Sequence, residues 1–348
     1  MTEPAFISTR PHFTVDGRAR EDLQESLTGM VINLPLHGSA HAELNLTNWG
    51  TPEGADAPDY LFNEIGLGAQ LDIEMGEDER TLLFSGEVTA IEEQYGEGAP
   101  SVALLLQDKL HRLARARQNR SYEEQSPDEV VQAIASDAGL RADVQVSSIN
   151  DTWHQLNESD LAFLLRLLGR FGIALRLRGD TLLARPESAD ARPITLDAQD
   201  SALKVRLLVD LNHQPLASQA QGYNAGAAEA VEYSSDSLTP GPAGTTAAAA
   251  LNDLGWPGEE IVPQPFARSN AEAQAYAAAH FRRQAKRFIS GEIICQGEAQ
   301  LNSGREIDLS GVAPRLAGIY QVVDCVHRFD NVSGFETHLK VNRADWLP

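Results

Sequence analysis

The sequence predicts an α+β, mainly β chain in which strand-forming stretches at both ends enclose a small helical unit. Three observations carry that expectation. Apolar and polar residues alternate through the first hundred or so positions and again near the C-terminus. Capped segments with a helical apolar period fill the stretch between 126 and 172. Loops rich in Gly, Pro and Asp or Ala interrupt the strands at 51–66 and 234–260. Alternation with a period of two buries one face of a strand and wets the other, as in an antiparallel sandwich or barrel.

In HAELNLT (41–47), Ala42, Leu44 and Leu46 alternate with Glu43, Asn45 and Thr47. In AQLDIEM (69–75), Ala69, Leu71, Ile73 and Met75 alternate with Gln70, Asp72 and Glu74. TLLFSGEVTAIEEQY (81–95) and SVALLLQ (101–107) read as a hairpin across GEGAP. The basic segment HRLARARQNR (111–120) marks a boundary, after which the period changes. Ser126, Pro127 and Glu129 form a helix start with a capping box, Gly139 a stop, and Val130, Val131, Ile134 and Ala138 the apolar stripe between them. NESDLAFLLRLLGRFG (157–172) predicts a second helix, with Leu161, Leu164, Leu165 and Leu168 on one face and Gly172 as its end. A tight hairpin follows around Gly179-Asp180. Strand patterns resume in ITL, LKVRLLVDL and AVEY, broken by the exposed loop 234–260. A long helix over 269–289 starts with a second capping box, Ser269 to Glu272, and ends in Arg282, Arg283, Lys286 and Arg287. A basic cluster there serves either an anion site or the helix macrodipole, and the dipole is the preferred explanation.

With 348 residues, 42% hydrophobic and 22% charged, the chain is long enough for two or three domains with real cores. Fifty acids against 28 bases give a net charge of −22, which repels phosphate backbones and anionic lipid and otherwise serves solubility. No apolar run reaches the roughly eighteen residues needed to span a bilayer, and MTEPAFISTRPHF lacks the features of a signal peptide, so no membrane anchor is expected. The two cysteines, Cys295 and Cys325, fit synthesis in a reducing compartment without a disulfide.

The terminal stretch YQVVDCVHRFDNVSGFETHLKVNR (320–343) holds the densest set of chemistry-bearing residues. A turn at Asp330–Gly334 sets Phe329 opposite Phe335, His327 opposite Thr337 and Val326 opposite His338, so the two histidines lie on opposite faces and cannot chelate one ion. Cys325 and His327 share a face, but two ligands fall short of what zinc needs. Glu158 and Asp160 could be an acid/base pair, yet they flank Ser159 at a helix start, where capping explains them better. No nucleophile elbow, zincin helix or phosphate-binding loop is present. No catalytic, cofactor-binding or metal-binding residue is therefore assigned. One internal echo remains: SGEVTAI (85–91) and AGIYQVV (317–323) each pair a glycine, Gly86 or Gly318, with an alternating strand and a hairpin.

The segment Gln155–Leu168 resembles the "Q-x-x-E-S-D-x-x-F-L-x-R-L" run of the late control D family of contractile phage tails through Gln155, Glu158, Ser159, Asp160, Phe163, Leu164, Arg166 and Leu167. The terminal hairpin resembles the same family's "G-x-Y-x-V-x-x-V-x-H" through Gly318, Tyr320, Val322 and His327, and its "G-F-x-T" through Gly334, Phe335 and Thr337. The module also forms the N-terminal part of VgrG-type spike proteins. The resemblance implies two tube-like antiparallel β-barrel domains, 1–112 and 188–348, with a small α+β domain, 113–187, between them. It implies a non-enzymatic baseplate hub of a phage tail, tailocin or other contractile injection machine. Such a hub is a homotrimer that adapts the sixfold tail tube protein to a separate threefold spike, among other baseplate proteins. DNA or protein cargo would pass its channel without specific binding, and assembly into the tail baseplate would begin in the bacterial cytoplasm. The rival expectation is a tail-associated cell-wall hydrolase with Glu158 as general acid, and a third is a secreted carbohydrate-binding β-protein.

Overall fold

A computed structural model describes residues 10–347 except 53, 77–78, 97, 187–191, 240 and 264–265. The expected boundary between 187 and 188, the first nine residues and Pro348 lie outside the described residues. The chain opens with β1 (His12–Val15), β2 (Arg18–Ala19), α1 (Glu21–Ser26), β3 (Leu27–Pro35), β4 (His41–Thr47), β5 (Gln70–Met75), β6 (Thr81–Gln94) and β7 (Ser101–Gln107). The helical unit follows with α2 (Leu110–Leu113), β8 (Arg117–Gln125), α3 (Pro127–Asp137), β9 (Arg141–Val144), β10 (Asp151–Ser159), α4 (Asp160–Phe171), β11 (Arg176–Arg178) and β12 (Thr181–Ala184). Next come β13 (Ile194–Asp197), β14 (Ala202–Val209), β15 (Ala217–Asn224), β16 (Glu229–Ser235), β17 (Thr245–Thr246), α5 (Ala247–Leu254), β18 (Glu259–Ile261) and α6 (Asn270–Ala285). The chain ends with β19 (Ile289–Gln296), β20 (Glu306–Ser310), β21 (Gly318–Asp330), β22 (Gly334–Arg343) and β23 (Asp345–Trp346).

The fold is mainly β and its sheets are largely antiparallel, as the alternation predicts. The expected pair of tube-like β-barrels is not shown. Among the described residues no sheet closes; strands from both ends of the chain build one open sheet in the order β14-β19-β22-β21-β3-β4-β7-β6-β5-β1-β2, with β20 on β21 and β13 on β20. The two ends meet where β3 pairs antiparallel with β21, from Gly29 opposite Asp330 to Pro35 opposite Asp324. The alternating residues do what their period dictates: Ala42, Leu44 and Leu46, then Leu71, Ile73 and Met75, then Val102, Leu104 and Leu106 all enter one core.

A second core belongs to the helical unit. Ser126 caps α3, accepting from the Glu129 N–H while the Glu129 carboxylate accepts from Ser126 N, and Gly139 turns left-handed just beyond the helix. Gly172 ends α4 at φ +68°. Leu164 and Leu168 of α4 meet Val130 and Ile134 of α3 there, and so do Ala220 of β15, Val231 of β16 and Tyr276 of α6. Residues from beyond 200 thus complete this core. Ser269 caps α6 by accepting from Glu272 N, but Glu272 does not return the bond to the cap; its buried carboxylate accepts from Arg268 N and pairs with the Arg268 guanidinium.

The span 234–260, expected as a loop, holds ordered structure. Thr246 caps α5 by accepting from Ala249 N, Gly255 ends it at φ +66°, and Ala247 and Leu251 are buried. Thr245 pairs with Trp346 across β17 and β23. The alanine run that looks low in complexity is a good helix former once a threonine precedes it and a glycine follows.

Candidate functional site

The motif around Gln155 is a strand-to-helix corner. Between Leu156 and Glu158 the pairing of β10 with β8 slips, and Asn157 takes φ +52°. This bulge turns the chain so that Ser159, at the end of β10, caps α4 by accepting from Ala162 N. Gln155 is fully buried under the corner, donating from Nε2 to the Glu158 carbonyl at 3.0 Å and to Asp160 Oδ1 at 2.8 Å. Glu158 is gripped by Arg166, Nε to Oε1 at 3.0 Å and Nη2 to Oε2 at 3.0 Å. Phe163 stacks on Tyr122 at 5.6 Å with the Arg166 guanidinium over its ring, and Leu164 is core. Both carboxylates are therefore tied to this corner.

The terminal hairpin has the register its sequence predicts: Phe329 opposite Phe335, His327 opposite Thr337 and Val326 opposite His338. Asp330 Oδ1 accepts from Val332 N and Ser333 N to close the turn, and Gly334 leaves it at φ +75°. His327 is wholly buried. Its Nε2 reaches the Leu301 carbonyl at 3.1 Å, which only accepts, so Nε2 carries the proton and Nδ1 accepts from Thr337 Oγ1 at 3.0 Å. Burial lowers its pKa to about 4, so the ring is neutral at physiological pH. Cys325 Sγ lies 3.6 Å from Nε2, and His338 points away to Glu336. Burial pushes the Cys295 thiol up to about 12 and raises that of Cys325 as well. Gly318 has φ +120° beside Arg343, whose guanidinium covers the buried Tyr320 ring; the Tyr320 hydroxyl donates to the Leu316 carbonyl at 2.8 Å, and Val322 is core. Among the described residues no group of three His, Cys, Asp or Glu is placed to hold a metal ion.

The large sheet contains the same four-strand unit twice. In the first, β3, β4, β7 and β6 are joined in that order; in the second, β14, β19, β22 and β21 are. The row Ile32–Ala42–Leu106–Val88 matches the row Leu207–Gly291–Val341–Val322, and Met30–Leu44–Leu104–Ile91 matches Val205–Ile293–Leu339–Cys325. Irregularities recur at equivalent places. The β3–β4 register shifts between Leu27 and Gly29, and β14–β19 between Ala202 and Lys204. That of β6–β7 shifts between Val88 and Ala90, and that of β21–β22 between Val322 and Asp324. A flanking strand recurs too: β5 pairs with the first half of β6, ending at Glu87 opposite Gln70, as β20 pairs with the first half of β21, ending at Gln321 opposite Glu306. The equivalence makes Gly86 correspond to Tyr320, two residues later than the glycine-on-glycine alignment with Gly318.

The two units differ in how their outer edges are covered. The second half of β21 is covered on its outer edge by β3. Among the described residues, the second half of β6, from Thr89 to Gln94, has no strand on the equivalent edge, and β14, the counterpart of β3, is the open end of the sheet. Ile91 and Tyr95 are exposed at one edge, and Leu203 and Leu208 at the other. Glu92 and Glu93 lie on the first, Lys204 and Arg206 on the second. The sequence signals the strands but not which edges stay open, because pairing partners are set by the folded sheet.

The family described as the Alg8 N-terminal domain matches residues 62–331. The chain belongs to that family. In this member the matched span runs from the loop before β5 into the turn of the terminal hairpin. The family name denotes a glycosyltransferase-related domain, whereas similar solved structures are tail proteins rather than enzymes. The 43 kDa tail protein of prophage MuSo2 from Shewanella oneidensis is 14% identical, with a TM-score of 0.72 over 97% of this chain and 99% of its own. A tail protein from Neisseria meningitidis is 10% identical, with a TM-score of 0.67 over 97% and 96%. An Escherichia coli component of the type VI secretion system, described as structurally similar to the bacteriophage T4 tail proteins gp27 and gp5, is 12% identical, with a TM-score of 0.62 over 95% of this chain and 76% of its own. At these identities the likeness is one of fold. No curated protein matches the sequence. Among the described residues no helix is long and apolar enough to cross a membrane.

Proposed function

We propose that the chain is a structural baseplate hub of a contractile tail or injection machine, of the late control D kind, in which three copies close a ring. The fold it shares with tail proteins and a type VI secretion component supports the tail setting. The observation that carries the reading is the duplicated unit with one junction filled and its equivalent open. Transferring the register of β3 on β21 to the open edges sets β14 of one copy against β6 of the next. Val209 then faces Ile91, Leu207 faces Glu93, Arg206 faces Gln94 and Val205 faces Tyr95. Arg206 lies diagonal to Glu92 on the same face of this pairing, so these two charges attract. Such a head-to-tail contact closes if the rotation allows, and three chains with two like units each offer six like faces. That geometry suits a threefold spike on one side and a sixfold tube on the other. The two tube-like domains, 1–112 and 188–348, would be completed by this closure, with the helical unit 113–187 between them. The spike and tube would be separate chains, the channel would pass DNA or protein cargo, and no catalytic step is required.

The test is the intact chain carrying Arg206→Cys and Gln94→Cys, residues placed directly opposite each other by the proposed register and within reach of a disulfide. Oxidation is expected to yield a covalent ladder ending at three chains, roughly 113 kDa for three times 37.8 kDa, with neither single variant cross-linking. A particle that stays at one chain mass, or a ladder that continues past three, would sink the reading.

A further inference from the structure

Between the C-terminal ends of α4 and α6 and the exposed face of β14, β19 and β22 lies an open cleft of about 620 Å³. Six cations line it: Arg282, Arg283, Lys286 and Arg287 from α6 and the residue pair after it, Arg206 from β14 and Lys340 from β22. Among the described residues, Glu292 is the one carboxylate on its wall. In a chain with 50 acids and 28 bases this is a reversal of sign. A helix C-terminus presents about half a negative charge, which one or two cations satisfy. Four on one helix end, facing two more across a gap, exceed that need.

Several of these groups have partners that leave donors to spare. Arg283 Nη1 donates to the Gly169 carbonyl at 3.4 Å, Arg287 Nη1 to Gln284 Oε1 at 3.5 Å, and Lys286 Nζ to Gln321 Oε1 at 2.8 Å. Arg206 stands 3.9 Å from Glu292, and Lys340 holds Asp324 at 3.0 Å. Arg282 has no hydrogen bond or ion pair among the described residues. Burial lowers the pKa of Arg282, and burial and the nearby Arg287 lower that of Arg283 against the opposing pull of Glu260, while Arg206, Arg283, Arg287 and Lys340 stay exposed at the cleft. His37, also on the wall, is held neutral-leaning by burial and by Arg176 and Arg283. Gly169, with open space where a side chain would stand, allows close approach, and Leu36, Ile173, Leu208 and Val323 provide an apolar floor.

We propose that this cleft binds a small phosphate ester of nucleotide size, its phosphates held by Arg282, Arg283 and Arg287 and its body resting on the apolar floor. Guanidinium forks match phosphate oxygens in pairs, and the volume is that of a small-molecule site. The net charge of −22 selects against long polyanions, whose many phosphates meet the acidic surface outside the cleft, and leaves a ligand with two or three charges unaffected. This proposal does not depend on the hub reading.

Isothermal titration of the intact chain with ADP, pyrophosphate, adenosine and a single-stranded oligonucleotide tests it. ADP and pyrophosphate are expected to bind saturably at one site per chain, and adenosine at least tenfold more weakly. Arg282→Gln should weaken ADP binding about tenfold, Arg282→Lys should retain part of it, and the remote Arg18→Gln should leave it unchanged. Unaltered melting temperatures separate lost binding from lost fold. Absence of saturable binding at millimolar ADP, equal affinity in Arg282→Gln, or an oligonucleotide that binds more tightly than ADP would each overturn the proposal.

Discussion

Protonation of His327 should set part of the stability of this fold in mildly acidic solution. The ring is sealed in the terminal hairpin, donating to Leu301 and accepting from Thr337, and its pKa in the folded chain is about 4. In the unfolded chain the ordinary value is about 6.5. Because the folded value is depressed, the unfolded state binds the proton more readily. The contribution is therefore complete above pH 6.5 and is lost as the pH falls through that value toward 4. The gap corresponds to about 3 kcal/mol in full, and to about 2 kcal/mol between pH 7 and pH 5. His37 and His280 have lowered pKa values through burial and act in the same direction, while the buried carboxyl of Asp108, raised by burial, acts in the opposite one. The informative quantity is thus the difference between wild type and His327→Gln, whose amide spans part of the same gap without titrating. Urea denaturation followed by tryptophan fluorescence at both pH values, at one protein concentration, would measure it. The variant should be less stable at pH 7 yet lose about 2 kcal/mol less than wild type on acidification. Equal losses in the two proteins would refute the assigned protonation state, and Thr337→Val, which removes the donor to Nδ1, should destabilise by about 1–3 kcal/mol at either pH.

Ser159→Ala removes the cap of α4 and should lower stability by about 1 kcal/mol, seen as a drop in melting temperature; an unchanged value would mean the bulge, not the hydroxyl, starts the helix. Gly222→Ala places a methyl group 1.7 Å from the Ala267 carbonyl oxygen, so β15 must separate from its neighbour, and a loss of several kcal/mol or failure to fold is expected on thermal melting. Cys295 and Cys325 are buried thiols whose pKa values are raised, so both should resist a thiol reagent at pH 8 in the native protein and react in guanidinium; rapid native reaction of either would contradict its burial.

Much of the secondary structure was legible because single-residue chemistry announces it. Ser126 with Glu129, Gly172, the alternation in residues 41–47 and the hairpin register from Phe329 to Phe335 are all local signals, and the fold honours them. The exceptions have local causes as well. Glu272 signals a capping box, but an arginine just upstream competes for its carboxylate. The alanines after Thr246 look like filler until Leu251 is seen to be buried. The architecture was less legible, because a strand does not encode which neighbour it meets. The alternation at 41–47 fits a closed barrel and an open sheet equally well.

The duplication makes the same point more sharply. A glycine shared by two short stretches aligns Gly86 with Gly318, yet the hydrogen-bonded ladders align Gly86 with Tyr320. Both choices keep the buried face buried, since a shift of two preserves the pleat. Side chains at equivalent positions have diverged: His327 on β21 corresponds to Glu93 on β6, one sealed in a core, the other at an open edge. What persists is backbone, including both register slips. A bulge adds twist and re-aims the strand that carries it, so losing one would change how the next strand docks. A glutamate where the filled junction has a buried histidine is consistent with a strand that must remain soluble until its partner edge arrives. Removing that charge, as in Glu93→Val, is therefore expected to promote irregular association of the isolated chain instead of a defined ring, read as a broad mass distribution in light scattering. If the variant instead formed a single species more readily than wild type, the acidic edge would be an obstacle to assembly and not its guard.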